Sequence, residues 1–166
     1  RYAYIGQDSL AAGHLAAKLM NLLLQNCSGD VLVITPQVDN KHLSGRIVGF
    51  TEKLAHKSTV VKIPVDGDRK DEACKIIRNH LNPRVKGIYV ADASTHLAAR
   101  VLKEDKLSIT DIALLGYDLV PDNVCALQEG WIDFILTQRP VEQGYLSIKT
   151  LYHKIILGEE TPRDQF

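Results

Sequence analysis

The sequence predicts an α/β fold: a three-layer, Rossmann-like or flavodoxin-like parallel sheet with helices on both faces. Short apolar segments of strand length alternate with helical segments, and the connections between them are too short for anything but parallel strands joined by helices. The strand segments lack polar alternation, as strands buried on both faces require. We therefore expect about five parallel strands in the order 2-1-3-4-5, with their carboxyl ends sharing one edge of the sheet.

The first half of the chain begins with a helix. Ala11–Leu24 is rich in Ala and Leu at helical spacing, and a Cys-Ser-Gly-Asp turn leads from it into the fully apolar strand Val31–Thr35. The apolar residues of His42–His56 fall on one helical face. The β-branched run Thr59–Val65 is typical of a strand. This half is therefore expected to run helix, strand, helix, strand.

The second half continues the alternation. The helix Asp71–Leu81 follows an Asp-Gly-Asp turn and stops before a proline. The strand Gly87–Val90 precedes the helix Ser94–Lys103, and the strand Ile112–Gly116 comes next. Pro121–Gln128 is a short helix closed by a glycine.

The last part of the chain adds one strand and one helix. Trp131–Thr137 has the composition of a strand, and a helix from Pro140 or Val141 runs to Leu157 and stops at Gly158. Residues 159–166 are expected to form a tail.

Composition excludes several classes of protein. Twenty basic residues balance twenty acidic ones, so no basic field would draw this chain to nucleic acid or to an anionic membrane. The three cysteines are widely spaced and odd in number, which argues against a disulfide framework or a zinc site and favours a reducing, cytoplasmic location. No apolar run approaches a membrane span, and no signal peptide is present. Because the chain lacks an initiator Met, we expect it to be a piece of a longer protein.

No catalytic, metal or cofactor motif is present. The glycine patterns of dinucleotide and nucleotide-phosphate sites are missing, as are the G-x-S-x-G elbow and the H-x-x-x-H and H-E-x-x-H spacings. We therefore expect no enzyme, no metal and no cofactor.

Polar side chains collect at the predicted ligand edge of the sheet. Arg46, Asp92, Asp118 and Gln138 each follow one of the predicted strands, and open α/β sheets bind ligands at that edge. Carboxylates, a guanidinium and an amide can hold a hydroxyl-rich ligand, because each hydroxyl both donates and accepts hydrogen bonds. We expect these four residues to line one concave, solvent-open surface, and we add His42 as a further candidate beside it.

The order of four motifs resembles a known family. These motifs are Ser44-Gly45-Arg46-Ile47-Val48-Gly49-Phe50, Val90-Ala91-Asp92, Leu115-Gly116-Tyr117-Asp118 and Thr137-Gln138-Arg139-Pro140-Val141-Glu142-Gln143-Gly144-Tyr145. Together they resemble the type I periplasmic-binding-protein fold, and most of all the effector-binding part of LacI-type transcription regulators. Sugar-binding periplasmic proteins and sensor domains of two-component kinases share the same lobes.

The resemblance implies roles for single residues. Arg46 and Asp118 match residues that hydrogen-bond ligand hydroxyls, and Gln138 matches a hinge glutamine that faces the cleft. Asp92 stands where the family commonly has Asn, so while ionised it can only accept hydrogen bonds. Arg69 stands where the family often has an aromatic residue that stacks on a sugar, and a guanidinium there could lie flat on a ring or pair with an acidic ligand.

The resemblance also implies a division of the chain. Residues 1–138 would form the C-terminal ligand-binding lobe, residues 139–158 a helix of an otherwise missing N-terminal lobe, and residues 159–166 the tail. The apolar stripe on that helix should be hidden, either by folding back or by packing on a second copy, so a homodimer is expected.

The resemblance implies an effector-sensing domain of a LacI-type repressor that binds a sugar-like molecule. Ligand would favour a closed form of the two lobes and change the geometry of a DNA-binding headpiece that is not in this chain. One alternative is a sugar-binding receptor of a periplasmic transport or two-component sensor system. A second alternative is a small Rossmann-like enzyme.

Overall fold

The chain divides into two compact units in the computed structural model. The structure describes residues 4–25, 27–37, 41–55, 57–107, 111–160 and 164–165. The larger unit is Ser9–Leu136, and the smaller unit combines Arg1–Asp8 with Thr137–Phe166. The elements in chain order are β1 (Tyr4–Ile5), α1 (Ser9–Leu24), β2 (Gly29–Thr35), α2 (Lys41–Lys53), β3 (Ser58–Pro64), α3 (Lys70–His80), β4 (Val85–Val90), α4 (Thr95–Glu104), β5 (Ala113–Tyr117), α5 (Pro121–Gln128), β6 (Phe134–Leu136), α6 (Pro140–Ile155) and β7 (Asp164–Gln165).

The larger unit is built on a five-stranded sheet in which every neighbouring pair is parallel. The strand order is β3-β2-β4-β5-β6, which confirms the predicted fold class and, counted from β2, the predicted order 2-1-3-4-5. The carboxyl ends of all five strands therefore lie along one edge of this sheet.

Helices cover both faces of this sheet. Because successive residues of a strand point to opposite faces, Val31 and Val33 belong to one apolar cluster and Leu32 and Ile34 to the other. The first cluster contains the buried residues of α1 and α2, and the second contains those of α3 and α4. These four consecutive side chains are all buried, which explains the apolar run in the middle of β2.

Helices α1 and α2 meet through glycines. A Cβ atom on Gly13 would lie 2.2 Å from the main-chain oxygen of Arg46, and one on Gly49 would lie 2.3 Å from that of Leu10. Only residues without a side chain allow this approach. The glycines on either side of Arg46 therefore have a packing role, since Gly45 also lies against α1, where its Cβ would be 3.0 Å from that of Ser9.

The smaller unit contains β1, β7 and α6. Strands β1 and β7 pair in parallel, with Tyr4 opposite Asp164 and Ile5 opposite Gln165. The segment predicted as a tail therefore contains one short strand. A pairing of two residues with a distant segment leaves no periodic pattern that a sequence could reveal.

The apolar face of α6 is exposed in the single chain. Tyr145, Leu151 and Ile155 are 65%, 48% and 70% exposed, and no described residue of α6 is buried. Burial of this face by folding back of the helix stays a prediction. Packing against a second copy, and the assignment of residues 1–138, 139–158 and 159–166 to the lobes and tail of a larger protein, stay predictions.

No helix among the described residues is both long and apolar enough to cross a membrane.

Candidate functional site

Two loops at the carboxyl edge of the sheet carry the predicted carboxylates. Asp92 follows β4, which ends at Val90, and Asp118 directly follows β5. Since β4 and β5 are neighbours in the sheet, these two loops start side by side.

Arg46 connects both loops to α2. Its Nη1 donates a hydrogen bond of 2.8 Å to the main-chain oxygen of Ala91, and its guanidinium carbon lies 3.8 Å from the centre of the Tyr117 ring. Both contacts are with residues directly before the predicted carboxylates Asp92 and Asp118, so the structure brings these three predicted residues to one edge. Arg46 is only 3% exposed, which makes the expected open guanidinium wrong: the side chain lies beneath the edge and supports it.

Arg46 packs against a cluster of aromatic rings on the sheet. The rings of Phe50 and Tyr89 lie face to face, with centroids 4.2 Å apart, and the Tyr89 hydroxyl donates to that of Tyr117 at 3.4 Å. Burial raises the pKa of both tyrosines, and the nearby Arg46 cation opposes this rise. Both hydroxyls therefore stay neutral, and the cation over Tyr117 faces an uncharged ring.

Asp118 has a left-handed backbone conformation with φ of +66°. Such a conformation is uncommon outside glycine, although Asp and Asn tolerate it better than other residues. The Asp118 N–H donates to the main-chain oxygen of Leu136 at 2.8 Å, which ties this loop to the end of β6. The half-buried carboxylate is thus presented from a constrained backbone.

Asn123 is the site residue that sequence reasoning missed. It lies in the first turn of α5, is fully buried, and bonds to both loops: its Nδ2 donates to the main-chain oxygens of Ala93, Tyr117 and Asp118 at 2.9–3.0 Å. Its Oδ1 accepts from the main-chain N–H of His96 at 2.8 Å and lies 3.0 Å from Nδ1 of that ring. A lone Asn after a proline carries no signal in a sequence, because these partners lie on other elements.

A groove of about 820 Å³ opens at this edge. Asp92 lines it together with Asp66, Asp68 and Asp122, while the basic groups that line it are Lys70 and His96. One oxygen of Asp92 accepts from the main-chain N–H of Ser94 at 2.9 Å and from the hydroxyl of that serine, which fixes the carboxylate. The groove is therefore polar and rich in hydrogen-bond acceptors, which suits a ligand that donates from hydroxyl groups.

Of the remaining predicted site residues, Arg69 and His42 belong to the larger unit and Gln138 to the smaller one. Arg69 is exposed and pairs with Glu72 at 2.7 Å, and His42 is exposed with its Nδ1 3.3 Å from the hydroxyl of Ser9. Gln138 belongs to the smaller unit, where its main-chain oxygen accepts from the side chain of Gln143. The roles of these residues in ligand binding, like those of Arg46, Asp92 and Asp118, stay predictions.

Within the part of the chain that the structure describes, no group of three or more His, Cys, Asp or Glu side chains could hold a metal ion.

Comparison with known proteins gives sugar-binding relatives. The chain is 30% identical over 161 residues to the xylose/arabinose-binding protein XylF of Sulfolobus acidocaldarius, covering 92% of this chain and 39% of that protein. An ABC transporter solute-binding protein from Burkholderia graminis, solved in complex with D-arabinose, is 31% identical with a TM-score of 0.87. A protein assigned as a LacI transcriptional regulator from Bacteroides fragilis is 26% identical with a TM-score of 0.82.

The match to a family covers almost the whole chain. Each of the two solved structures is matched over 99% of this chain and 59% of its own length, so the chain spans well under two thirds of its relatives. The family model described as a periplasmic binding protein domain matches residues 1–160. With its parallel five-stranded sheet and polar carboxyl edge, the chain belongs to this family of periplasmic binding protein domains.

Proposed function

We propose that this chain is the C-terminal, ligand-binding lobe of a two-lobed receptor for an uncharged sugar of aldopentose size. Two relatives at 30% and 31% identity support this, one named for xylose and arabinose and the other bound to D-arabinose. They favour the transport-receptor alternative over the LacI-type regulator that the sequence motifs suggested first.

The single observation that carries the proposal is the pair of carboxylate loops at the edge of β4 and β5. Asp92 and Asp118 follow neighbouring strands, and the buried Arg46 contacts the residue before each of them. Carboxylate oxygens accept hydrogen bonds from sugar hydroxyls, and such charge-assisted bonds are about twice as strong as neutral ones. Because these acceptors have fixed positions at the sheet edge, they favour sugars whose hydroxyl groups match those positions. This binding requires no covalent reaction of the ligand.

Signalling would follow from closure of the two lobes. A sugar that contacts both lobes binds the closed form more tightly and so shifts the population toward it. No step of this mechanism breaks or forms a covalent bond, in keeping with a family of binding proteins.

Calorimetric titration of the two-lobed protein with D-arabinose, D-xylose and ribitol tests the proposal. We expect one site per chain, with an aldopentose bound at least ten times more tightly than the open-chain polyol. The variant Asp118→Asn should weaken binding, while Asp111→Asn, an exposed carboxylate before the amino end of β5, should leave it unchanged. Absence of binding to any aldopentose or aldohexose at millimolar concentration would contradict the proposal.

A LacI-type regulator is the second candidate function. Similarity to the Bacteroides fragilis regulator favours it, and the predicted cytoplasmic location, homodimer and DNA-binding headpiece belong to this candidate. It predicts that the same sugar changes the affinity of the two-lobed dimer for DNA upstream of its own gene. Fluorescence anisotropy with that DNA distinguishes the two: a transport receptor gives no sugar-dependent change.

A further inference from the structure

Asn123 lies where the loops after β4 and β5 meet. It belongs to neither loop, because it is in the first turn of α5. Its amide nevertheless contacts Ala93 in the loop after β4, Tyr117 at the end of β5, and Asp118 in the loop after β5. Two N–H groups thus serve three main-chain oxygens, in an interior position with no exposed surface.

The hydrogen bonds determine the orientation of this amide. Three carbonyl oxygens can only accept, so Nδ2 must face them, and Oδ1 then faces the main-chain N–H and Nδ1 of His96. The Nδ1 atom of the imidazole consequently carries the proton. Replacement of the amide by a carboxylate would keep the acceptor on the His96 side and remove every donor on the carbonyl side.

The hydrogen bond from Asn123 to Asp118 is made at a residue with an uncommon backbone conformation. The φ of +66° at Asp118 is a conformation that surrounding contacts must maintain. Two hydrogen bonds hold the peptide groups of this residue: Asn123 Nδ2 donates to its oxygen at 2.9 Å, and its N–H donates to Leu136 at 2.8 Å. The direction of the Asp118 side chain depends on this backbone conformation.

We propose that Asn123 is a positioning residue for sugar binding, which acts through the Asp118 backbone without touching the ligand. This inference rests on the proposed function, since it assigns Asn123 a role at the same site. The amide keeps the two carboxylate loops in one arrangement before the sugar arrives, so that less ordering is required on binding.

A double-mutant cycle on sugar affinity tests this role. In the two-lobed protein, Asn123→Ala should weaken D-arabinose binding about tenfold, the size expected for coupled neighbours. In an Asp118→Asn background, Asn123→Ala should weaken D-arabinose binding by less than about twofold, because Asn123 acts through the carboxylate of Asp118, which this background lacks. Additive effects would show a purely structural role and overturn the proposal.

A matched control uses Asn21, another asparagine that bridges two segments by side chain–backbone bonds. Asn21 donates to the main-chain oxygen of Lys53 and accepts from the N–H of Ala55, near the end of α2 and away from the carboxyl edge. Asn21→Ala should lower thermal stability without changing sugar affinity. An equal loss of affinity in both variants would mean that general loosening of the fold is the cause, which also overturns the proposal.

A second variant and a second readout keep the test decisive if Asn123→Ala folds poorly. Asn123→Asp preserves size and the acceptor for His96, and should weaken sugar binding as much as the alanine variant. Hydrogen exchange of the Asp118 amide in this chain should be at least about tenfold faster in either Asn123 variant and unchanged in Asn21→Ala.

The exchange measurement separates the two hypotheses. If the wild type binds no sugar, the proposed function fails, whereas unchanged exchange at Asp118 would overturn the positioning role even if sugar binds.

Discussion

The glycine contact between α1 and α2 predicts how a single substitution changes the free energy of unfolding. In Gly49→Ala, the new Cβ would lie 2.3 Å from the main-chain oxygen of Leu10 and 3.2 Å from the nitrogen of His14. Carbon–oxygen contacts are normally no closer than about 3.3 Å, so the two helices must separate by about 1 Å. Both opposing atoms are backbone, so no side-chain rotation can relieve the contact.

The expected loss follows from two opposing terms. Overpacking of this kind costs about 1–3 kcal/mol, and replacement of a helical glycine by alanine regains up to about 1 kcal/mol. We expect the free energy of unfolding to fall by about 1–2 kcal/mol, a decrease in Tm of roughly 2–8 °C for a chain of this size. Because α2 carries Arg46, sugar affinity should fall as well.

Urea unfolding followed by the fluorescence of Trp131 measures this loss. Trp131 is the sole tryptophan in the sequence and belongs to the larger unit, which contains both helices. Gly144→Ala is the matched control, because a Cβ on this glycine of α6 would meet nothing within 4 Å. A Gly49→Ala variant as stable as the wild type would refute the packing role of the glycines.

Three further predictions concern the ligand edge and its support. Asp118→Asn should weaken sugar binding in the two-lobed protein by about 1.5–3 kcal/mol in calorimetry, the range for a hydrogen bond to a charged group, with a much smaller change in Tm. The carboxylate of Asp133 accepts a hydrogen bond from the main-chain N–H of Leu114 at 2.8 Å. Burial raises the pKa of this carboxyl group, so the folded protein holds the carboxyl proton of Asp133 more tightly than the unfolded chain does. The wild type should therefore lose stability relative to Asp133→Asn as the pH rises from about 3.9, the ordinary pKa of Asp, through the raised pKa. Urea unfolding would contradict this if the difference in free energy of unfolding between the two proteins were constant between pH 3 and 7. The 166-residue chain alone should bind D-arabinose more weakly than micromolar, because in the proposed two-lobed receptor the second lobe would supply part of the enclosing contacts.

The sequence predicts the larger unit well because its elements carry strong periodic patterns. The apolar run of β2 and the amphipathic face of α4 each follow from the position of that element in the layers of the fold, so the local sequence pattern alone identifies them. Strand order follows from short helical connections of one handedness. The strand predicted at Trp131–Thr137 is shorter in the structure, because the N–H of Trp131 bonds back to Ala126 and closes the end of α5.

The site was harder to predict because its contacts join residues that are distant in the chain. Strand-end position correctly placed Asp92 and Asp118 at one edge, but the burial of Arg46 depends on Tyr117 and on the carbonyl of Ala91, which no local pattern reveals. The glycines beside Arg46 are explained by the close approach of α1, a contact that the sequence alone does not reveal. Asn123 has no sequence signal, since all of its partners are fixed by the tertiary fold.

A crystal structure of the two-lobed protein with D-arabinose tests the central claim most directly. We expect the sugar at the edge where β4 and β5 end, with at least one hydroxyl oxygen within about 3.0 Å of an oxygen of Asp118 and another near Asp92. A sugar bound elsewhere on the larger unit, with both carboxylates more than about 5 Å from every hydroxyl, would contradict it.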